Sequence, residues 1–164
     1  PKTPKPRRFG KSKMGVCSSG DAITPSAKSF MYNEVTLVDG TKKSYYELLA
    51  GQKALVIVNV VSIDAKTKKV YEKLVDLYKT YGKLGLQIVA VPSNQCFLEP
   101  GLAPSGPQWT SDLTALMKRM EIEFPVLERS EIYGENALPI FKHLSDTALD
   151  GKEVKTNFNI FVCN

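Results

Sequence analysis

Apolar residues along this chain recur with two periods, near two and near 3.6, and their order predicts an α/β domain. Residues 34–49 alternate around Asp39-Gly40, which predicts a hairpin followed by a short helical turn at Tyr45–Leu49. Residues 54–61 form an apolar strand, ALVIVNVV. Along 66–84, Val70, Leu74, Leu77, Tyr78 and Tyr81 fall at helical spacing with Lys and Asp opposite, and Gly82 and Gly85 mark the end. Gly82-Lys83-Leu84-Gly85 is thus a helix-end signal and not a phosphate-binding loop. Residues 86–91 are a second buried strand, so strand, helix and strand predict parallel neighbours joined by a right-handed crossover. A Pro/Gly/Ser-rich loop over 92–107 follows, and Ser111 or Asp112 is placed to cap a helix through Met120. A strand over 125–129, a helix over 136–144 and a last strand over 158–162 complete the pattern of an α/β sandwich.

Length and composition agree: 164 residues with 43% hydrophobic content suit one domain that buries its own core. No apolar run approaches the roughly 20 residues needed to span a bilayer, and the N-terminal stretch lacks the apolar segment of a signal peptide. These features predict an intracellular protein, mitochondrial or cytoplasmic and not secreted. Cys17, Cys96 and Cys163 are an odd count without a Cys-x-x-Cys pair, and His143 is the one histidine. Neither a disulfide framework nor a metal site is predicted. Reduced thiols packed as small hydrophobes are expected, with His143 an ordinary helix residue.

Charge divides the chain unevenly. The first twenty residues carry Lys2, Lys5, Arg7, Arg8, Lys11 and Lys13 with no acid, a charge of +6 against +5 for the whole chain. Pro1, Pro4 and Pro6 oppose a helix there, so residues 1–28 are expected as an extended basic arm and 29–164 as the folded domain. Such an arm is suited to RNA phosphates, acidic protein surfaces or anionic lipid. The plainer alternatives are a solvated tail or the remnant of a targeting sequence. The domain itself has no RNA-binding aromatic signature, KH loop or zinc finger.

Four blocks in order identify a relationship. LVIVNVVSIDAKT (55–67) resembles the glutathione peroxidase turn NVAS-x-C-G-x-T, and VPSNQCFLEPG (91–101) resembles FPCNQFGGQEPG. EFPVLERSEIYGENALPIFKHL (123–144) is similar to EFPVF-x-K-x-x-VNG-x-x-AHPLYK-x-L, and TNFNIFV (156–162) to WNFTKFLV. The resemblance implies a thioredoxin-like three-layer sandwich of glutathione peroxidase type, with an extended basic N-terminal arm. It also implies a truncated C-terminus: the family continues with a turn, a strand and a helix, whereas this sequence ends at Cys163-Asn164. A sheet edge or helix-docking face would then be left for a partner or for further chain to cover.

The same resemblance places Asp64 where the family keeps its peroxidatic cysteine or selenocysteine. Peroxide reduction needs a thiolate or selenolate at a helix N-terminus, where free N–H groups and the helix dipole stabilise the anion, and a carboxylate does not supply that nucleophile. Carried over by position, Gln95 and Asn157 remain of the groups that surround the reactive sulfur, while the tryptophan becomes Thr156. The resolving cysteine of thioredoxin-dependent members aligns with Met117. The loop carrying Gln95 is one residue shorter than the family's, and 101–124 is several residues longer.

As a residue, Asp64 suits an N-cap or first-turn acid, a role worth about 0.5–2 kcal/mol; the alternative is contact with a ligand or partner in the old hollow. Gln95 and Asn157 then persist as satisfied polar residues joining loop and strand. Phe97 and Leu98 are expected to meet protein, and Trp109 is either a core plug or an interface anchor. Two functions remain open. One is a catalytically inactive glutathione peroxidase-like domain, a structural subunit of a large assembly such as a mitochondrial ribonucleoprotein or a cytoskeletal complex. In that reading other protein subunits are its partners, its arm meets RNA or an acidic surface, and no cofactor is needed. The other is a divergent thiol-dependent peroxidase, active against oxidative stress, that uses Cys96. The substitutions at Asp64, Thr156 and Met117 favour the first.

Overall fold

In the computed structural model the central strand, Ala54–Val60, is buried from its second residue onward and feeds two cores at once. The structure describes residues 15–17, 30–61, 65–96 and 107–163, with the backbone alone for 15–17, 65–66 and 107–108. The strands are β1 (Gly15–Cys17), β2 (Glu34–Thr36), β3 (Lys42–Ser44), β4 (Ala54–Val60), β5 (Leu86–Pro92) and β6 (Ile160–Cys163). The helices used below are α1 (Tyr45–Leu49), α2 (Ala65–Tyr81), α3 (Pro107–Arg119) and α4 (Pro139–Ala148).

Strand alternation decides the layers. Leu55 and Ile57 of β4, with Val89 and Val91 of β5 and Phe161 of β6, meet Tyr45 and Leu48 of α1 and Ile140, Phe141 and Leu144 of α4. Val56, Val58 and Val60, with Ile88 and Ala90, meet Tyr71, Leu74 and Val75 of α2 and Trp109, Leu113 and Leu116 of α3. A sheet buried on both faces needs near-continuous apolar strands, which ALVIVNV and LQIVAVP supply. Each aliphatic or aromatic side chain so buried contributes about 1.5–3 kcal/mol.

The strand order is β1-β6-β4-β5, with β4 and β5 parallel and β6 antiparallel to β4. The strand, helix and strand predicted over 54–91 are present, joined by α2 and a 3-10 turn, Gly82–Leu84. Gly85 ends that turn in the left-handed region at φ 105°, where its N–H donates to the Gly82 carbonyl. The hairpin of β2 and β3 leads into α1 through a capping box: Ser44 Oγ accepts from Glu47 N at 3.2 Å, and Ser44 N donates to Glu47 Oε2 at 2.7 Å. The edge of β6 away from β4 is paired by β1, whose residues lie in the stretch expected as the arm. The arm residues Lys2, Lys5, Arg7, Arg8, Lys11 and Lys13 lie outside the described residues.

Four boundaries differ from the sequence pattern, the last strand among them, which begins at Ile160 and not at 158 because Phe158 sits in a turn at φ 61°. Helix α3 begins at Pro107, so Ser111 and Asp112 lie inside it and do not cap it; proline suits the first helical turn, where its missing N–H costs nothing. Pro139 likewise starts α4, three residues later than expected, and the helix runs on to Ala148. The strand expected over 125–129 is reduced to two bridges, Ala90↔Val126 and Leu37↔Leu127, because Pro125 offers only its carbonyl, which accepts from Ala90 N at 3.0 Å. Among the described residues no helix is long and apolar enough to cross a membrane.

Candidate functional site

The site lies where β4 and β5 end side by side and the chain turns into α2. Thr67, buried in the first turn of α2, donates its hydroxyl to the Val61 carbonyl at 3.2 Å and so closes the strand-to-helix turn. Helix α2 starts at Ala65, immediately after position 64 in the chain. Asp64, Ser62, Phe97 and Leu98 lie outside the described residues. Ser93 N donates to the Val60 carbonyl at 2.8 Å, which holds the segment leading to Gln95 against the end of β4.

Gln95 spends its amide on the turn at 131–133. Its Oε1 accepts from Ile132 N at 2.7 Å and from Tyr133 N at 3.1 Å. Its Nε2 donates to the Tyr133 carbonyl at 3.0 Å and to Glu131 Oε2 at 3.4 Å. Tyr133 returns a bond from its hydroxyl to the Gln95 carbonyl at 2.9 Å. Both lone pairs of Oε1 and both N–H groups of Nε2 are therefore used, and the side chain acts as a latch between two loops.

Asn157 does half of the same task. Its Nδ2 donates to the Cys96 carbonyl at 3.0 Å, tying 156–159 to the Gln95 loop. Its Oδ1 is buried and has no partner among the described residues. The expectation that both residues are satisfied therefore holds for Gln95 and fails for the acceptor of Asn157. Thr156 turns its hydroxyl to Asn159 Oδ1 at 3.1 Å.

Cys96 packs against the core under α4, and its Sγ lies 3.8 Å from the Val154 carbonyl. Burial pushes its thiol pKa up from the ordinary value, the reverse of what a nucleophilic thiolate needs. Gln95, Cys96 and Asn157 are thus neighbours.

Asn59 was not assigned a role from sequence, although it is the one polar side chain in the 54–61 run. Fully buried, it donates from Nδ2 to the Thr156 carbonyl at 2.9 Å and accepts at Oδ1 from Asn159 N at 2.9 Å and Asn159 Nδ2 at 3.2 Å. Asn159 Nδ2 also donates to the Thr156 carbonyl. This hub holds a turn in which Phe158 takes φ 61°, a conformation costly for a bulky residue unless its surroundings fix it. A cleft of about 400 Å³, lined in part by Leu149, Lys152, Thr156, Asn157 and Phe161, opens beside this turn.

Trp109 is 3% exposed in the core beneath α3, a plug and not an interface anchor, with Arg129 5.7 Å above its ring. The His143 ring lies against Phe30, tilted by 31° with ring centroids 4.8 Å apart. Among the described residues no group of three or more His, Cys, Asp or Glu side chains is placed to hold a metal.

The sequence profile described as Glutathione peroxidase matches residues 31–145. "Probable glutathione peroxidase 5" of Arabidopsis thaliana is 31% identical over 153 residues, 91% of this chain and 82% of that protein. "Probable phospholipid hydroperoxide glutathione peroxidase" of Citrus sinensis is 34% identical over 116 residues, and the match covers 67% of this chain and 64% of that protein. The crystal structure of T. cruzi GPX1 superposes with a TM-score of 0.57 at 27% identity, covering 79% of this chain and 75% of that one. The fold is the thioredoxin-like α/β fold of that type.

Proposed function

The chain belongs to the glutathione peroxidase family, and within it we propose a catalytically inactive member that serves as a structural, partner-binding subunit of a large intracellular assembly. The observation that carries the reading is the state of Gln95. A glutamine that stabilises a reactive sulfur must offer it an N–H, and here Nε2 is engaged by Tyr133 and Glu131. The sequence places Asp64 at the nucleophile's position and Thr156 at the tryptophan's, and neither supplies the chemistry those groups perform. Burial pushes the thiol pKa of Cys96 up from its ordinary value, the reverse of what an activated nucleophile needs.

What is left is a rigid domain preceded in sequence by six cations, Lys2, Lys5, Arg7, Arg8, Lys11 and Lys13, in a proline-containing stretch without acids. That charge suits RNA or an acidic protein surface in a ribonucleoprotein of mitochondrial type or a cytoskeletal complex. The reading needs no cofactor.

Two experiments test it. Purified protein, assayed with glutathione or thioredoxin as reductant, should reduce peroxides no faster than a cysteine-free variant. Turnover that vanishes in Cys96→Ser would overturn the inactive reading. Asp64→Cys should recover little activity, because Gln95 is committed elsewhere and Thr156 has no indole N–H. Native protein from lysate should also sediment with a large particle, and deletion of residues 2–13 should release it. Nuclease sensitivity would identify RNA as the arm's partner. Migration as a small free protein would overturn the subunit role.

A further inference from the structure

Cys17 and Cys163 stand 146 positions apart in sequence, yet they are register partners in the parallel pairing of β1 with β6. Direct partners in neighbouring strands lie on one face of a sheet, with strands about 4.7–4.9 Å apart. A disulfide joins Cα atoms about 4.4–6.8 Å apart, a range that includes the spacing of neighbouring strands, so the backbone register of positions 17 and 163 suits a bridge. We propose that Cys17 and Cys163 are a redox modification site, closing to a disulfide that fastens β1 to the edge of the sheet. The inference goes beyond the proposed function and stands whether or not the chain reduces peroxides.

Three observations single out this pair. Strand β1 is three residues long, and its ladder partner among the described residues is β6. So short a strand is held by few bonds, and a covalent link at its last residue changes its attachment most. Cys163 is half-buried and packs at the margin of the core that α4 covers, at the end of the strand that β1 joins. Cys96, the third thiol, lies in the Gln95 loop with its Sγ at the Val154 carbonyl and belongs to neither strand. The odd cysteine count, which argued against a disulfide framework, resolves into one facing pair and one separate thiol.

The chemistry is thiol–disulfide exchange with a small disulfide such as glutathione disulfide. One cysteine thiolate attacks it, forming a mixed disulfide and releasing one glutathione thiolate. The second cysteine thiolate attacks the protein-bound sulfur of that mixed disulfide, forms the Cys17–Cys163 bond and releases the second glutathione. The cysteine pair loses two electrons and two protons, and glutathione disulfide becomes two thiols. Because the bond joins residues near opposite ends of the described chain, it encloses nearly the whole domain and constrains the unfolded state strongly.

The test uses the full chain, reduced, then equilibrated with glutathione disulfide and trapped by alkylation in denaturant. The expected product is a monomer lighter by two hydrogens with one alkylated thiol, and with none in Cys96→Ser. Tryptic digestion without reductant should link residues 14–28 to 156–164. The oxidised form should melt several degrees higher, and dithiothreitol should reverse the shift. Cys17→Ser and Cys163→Ser should each lose the linked peptide and carry glutathione on the remaining partner. The proposal is overturned if both thiols of Cys96→Ser stay alkylatable, if each carries its own glutathione, or if the link forms between two chains or through Cys96.

Discussion

Replacing Gln95 with methionine removes the amide and keeps most of the side-chain volume, so it isolates the latch between the two loops. Four bonds go with the amide: Ile132 N and Tyr133 N lose their acceptor, and the Tyr133 carbonyl and Glu131 lose a donor. The Glu131 contact is long and exposed and counts for little. The other three each contribute about 0.5–1.5 kcal/mol net. Ile132 is 1% exposed, so its N–H is poorly placed to find water in exchange. The expected loss is about 3 kcal/mol, the middle of the range that three such bonds span, with the Ile132 N–H left without its acceptor. For a domain of this size it lowers Tm by roughly 6–12 °C. Urea unfolding followed by tryptophan fluorescence measures it, and the m-value should not change. Tyr133→Phe removes the return bond to the Gln95 carbonyl and should cost about 1 kcal/mol alone. Because both residues serve one junction, the double variant should fall short of additivity by about 0.5 kcal/mol or more. A loss under about 1 kcal/mol for Gln95→Met would refute the latch, and with it the argument that this amide is unavailable to position 64.

Gly85→Ala should cost about 1–3 kcal/mol in the same urea experiment, because φ 105° is strained for any side chain and the new Cβ would stand 2.9 Å from Lys53 Cγ; a neutral result would mean that the turn can rearrange. Tyr71→Phe should be neutral or stabilising, since the Tyr71 hydroxyl is buried without a partner among the described residues and burial pushes its pKa up; a loss above about 1 kcal/mol would show that the hydroxyl is bonded in solution. Cys96 should react with iodoacetamide more slowly than an exposed cysteine at neutral pH. Its pH profile should also lie higher, because burial favours the neutral thiol and the reactive thiolate appears only at higher pH; a profile shifted to lower pH would point to an activated thiol.

Strands β4 and β5 and helix α2 were legible because their signals are long and local, whereas β1 lies in the stretch expected as the arm. The 54–60 and 86–92 strands and α2 carry enough apolar positions for period and burial to agree. Boundaries set by proline were legible only in part. Pro107 and Pro139 are natural helix starts, yet Ser111 and Asn136 offer competing signals a few residues away, and local propensity does not rank them. The hub at Asn59 was visible as a polar interruption of an apolar strand, but its partners lie about a hundred residues on. The pairing of Cys17 with Cys163 was invisible for the same reason: register between strands at the two ends of the chain is a property of the assembled sheet.

Gln95 and Asn157 keep residue types that the family's pattern has at these positions while doing the work of a junction. Gln95 binds the 131–133 turn, Asn157 binds the Gln95 loop, and Asn59 binds the turn that carries Asn157, so three segments remote in sequence are closed onto the end of one strand. A polar group shared between stability and chemistry must keep one donor or acceptor free for the substrate. Gln95 has one N–H on the Tyr133 carbonyl and the other on the long Glu131 contact, while Asn157 places one of its two Nδ2 N–H groups on the Cys96 carbonyl and has a buried acceptor, Oδ1, without a partner among the described residues. Gln95 therefore takes on no further acceptor without giving up one of these contacts. Asp64→Cys adds a thiol while both Gln95 N–H groups stay engaged and Thr156 offers no indole N–H, which is why the variant is expected to become alkylatable before it gains turnover.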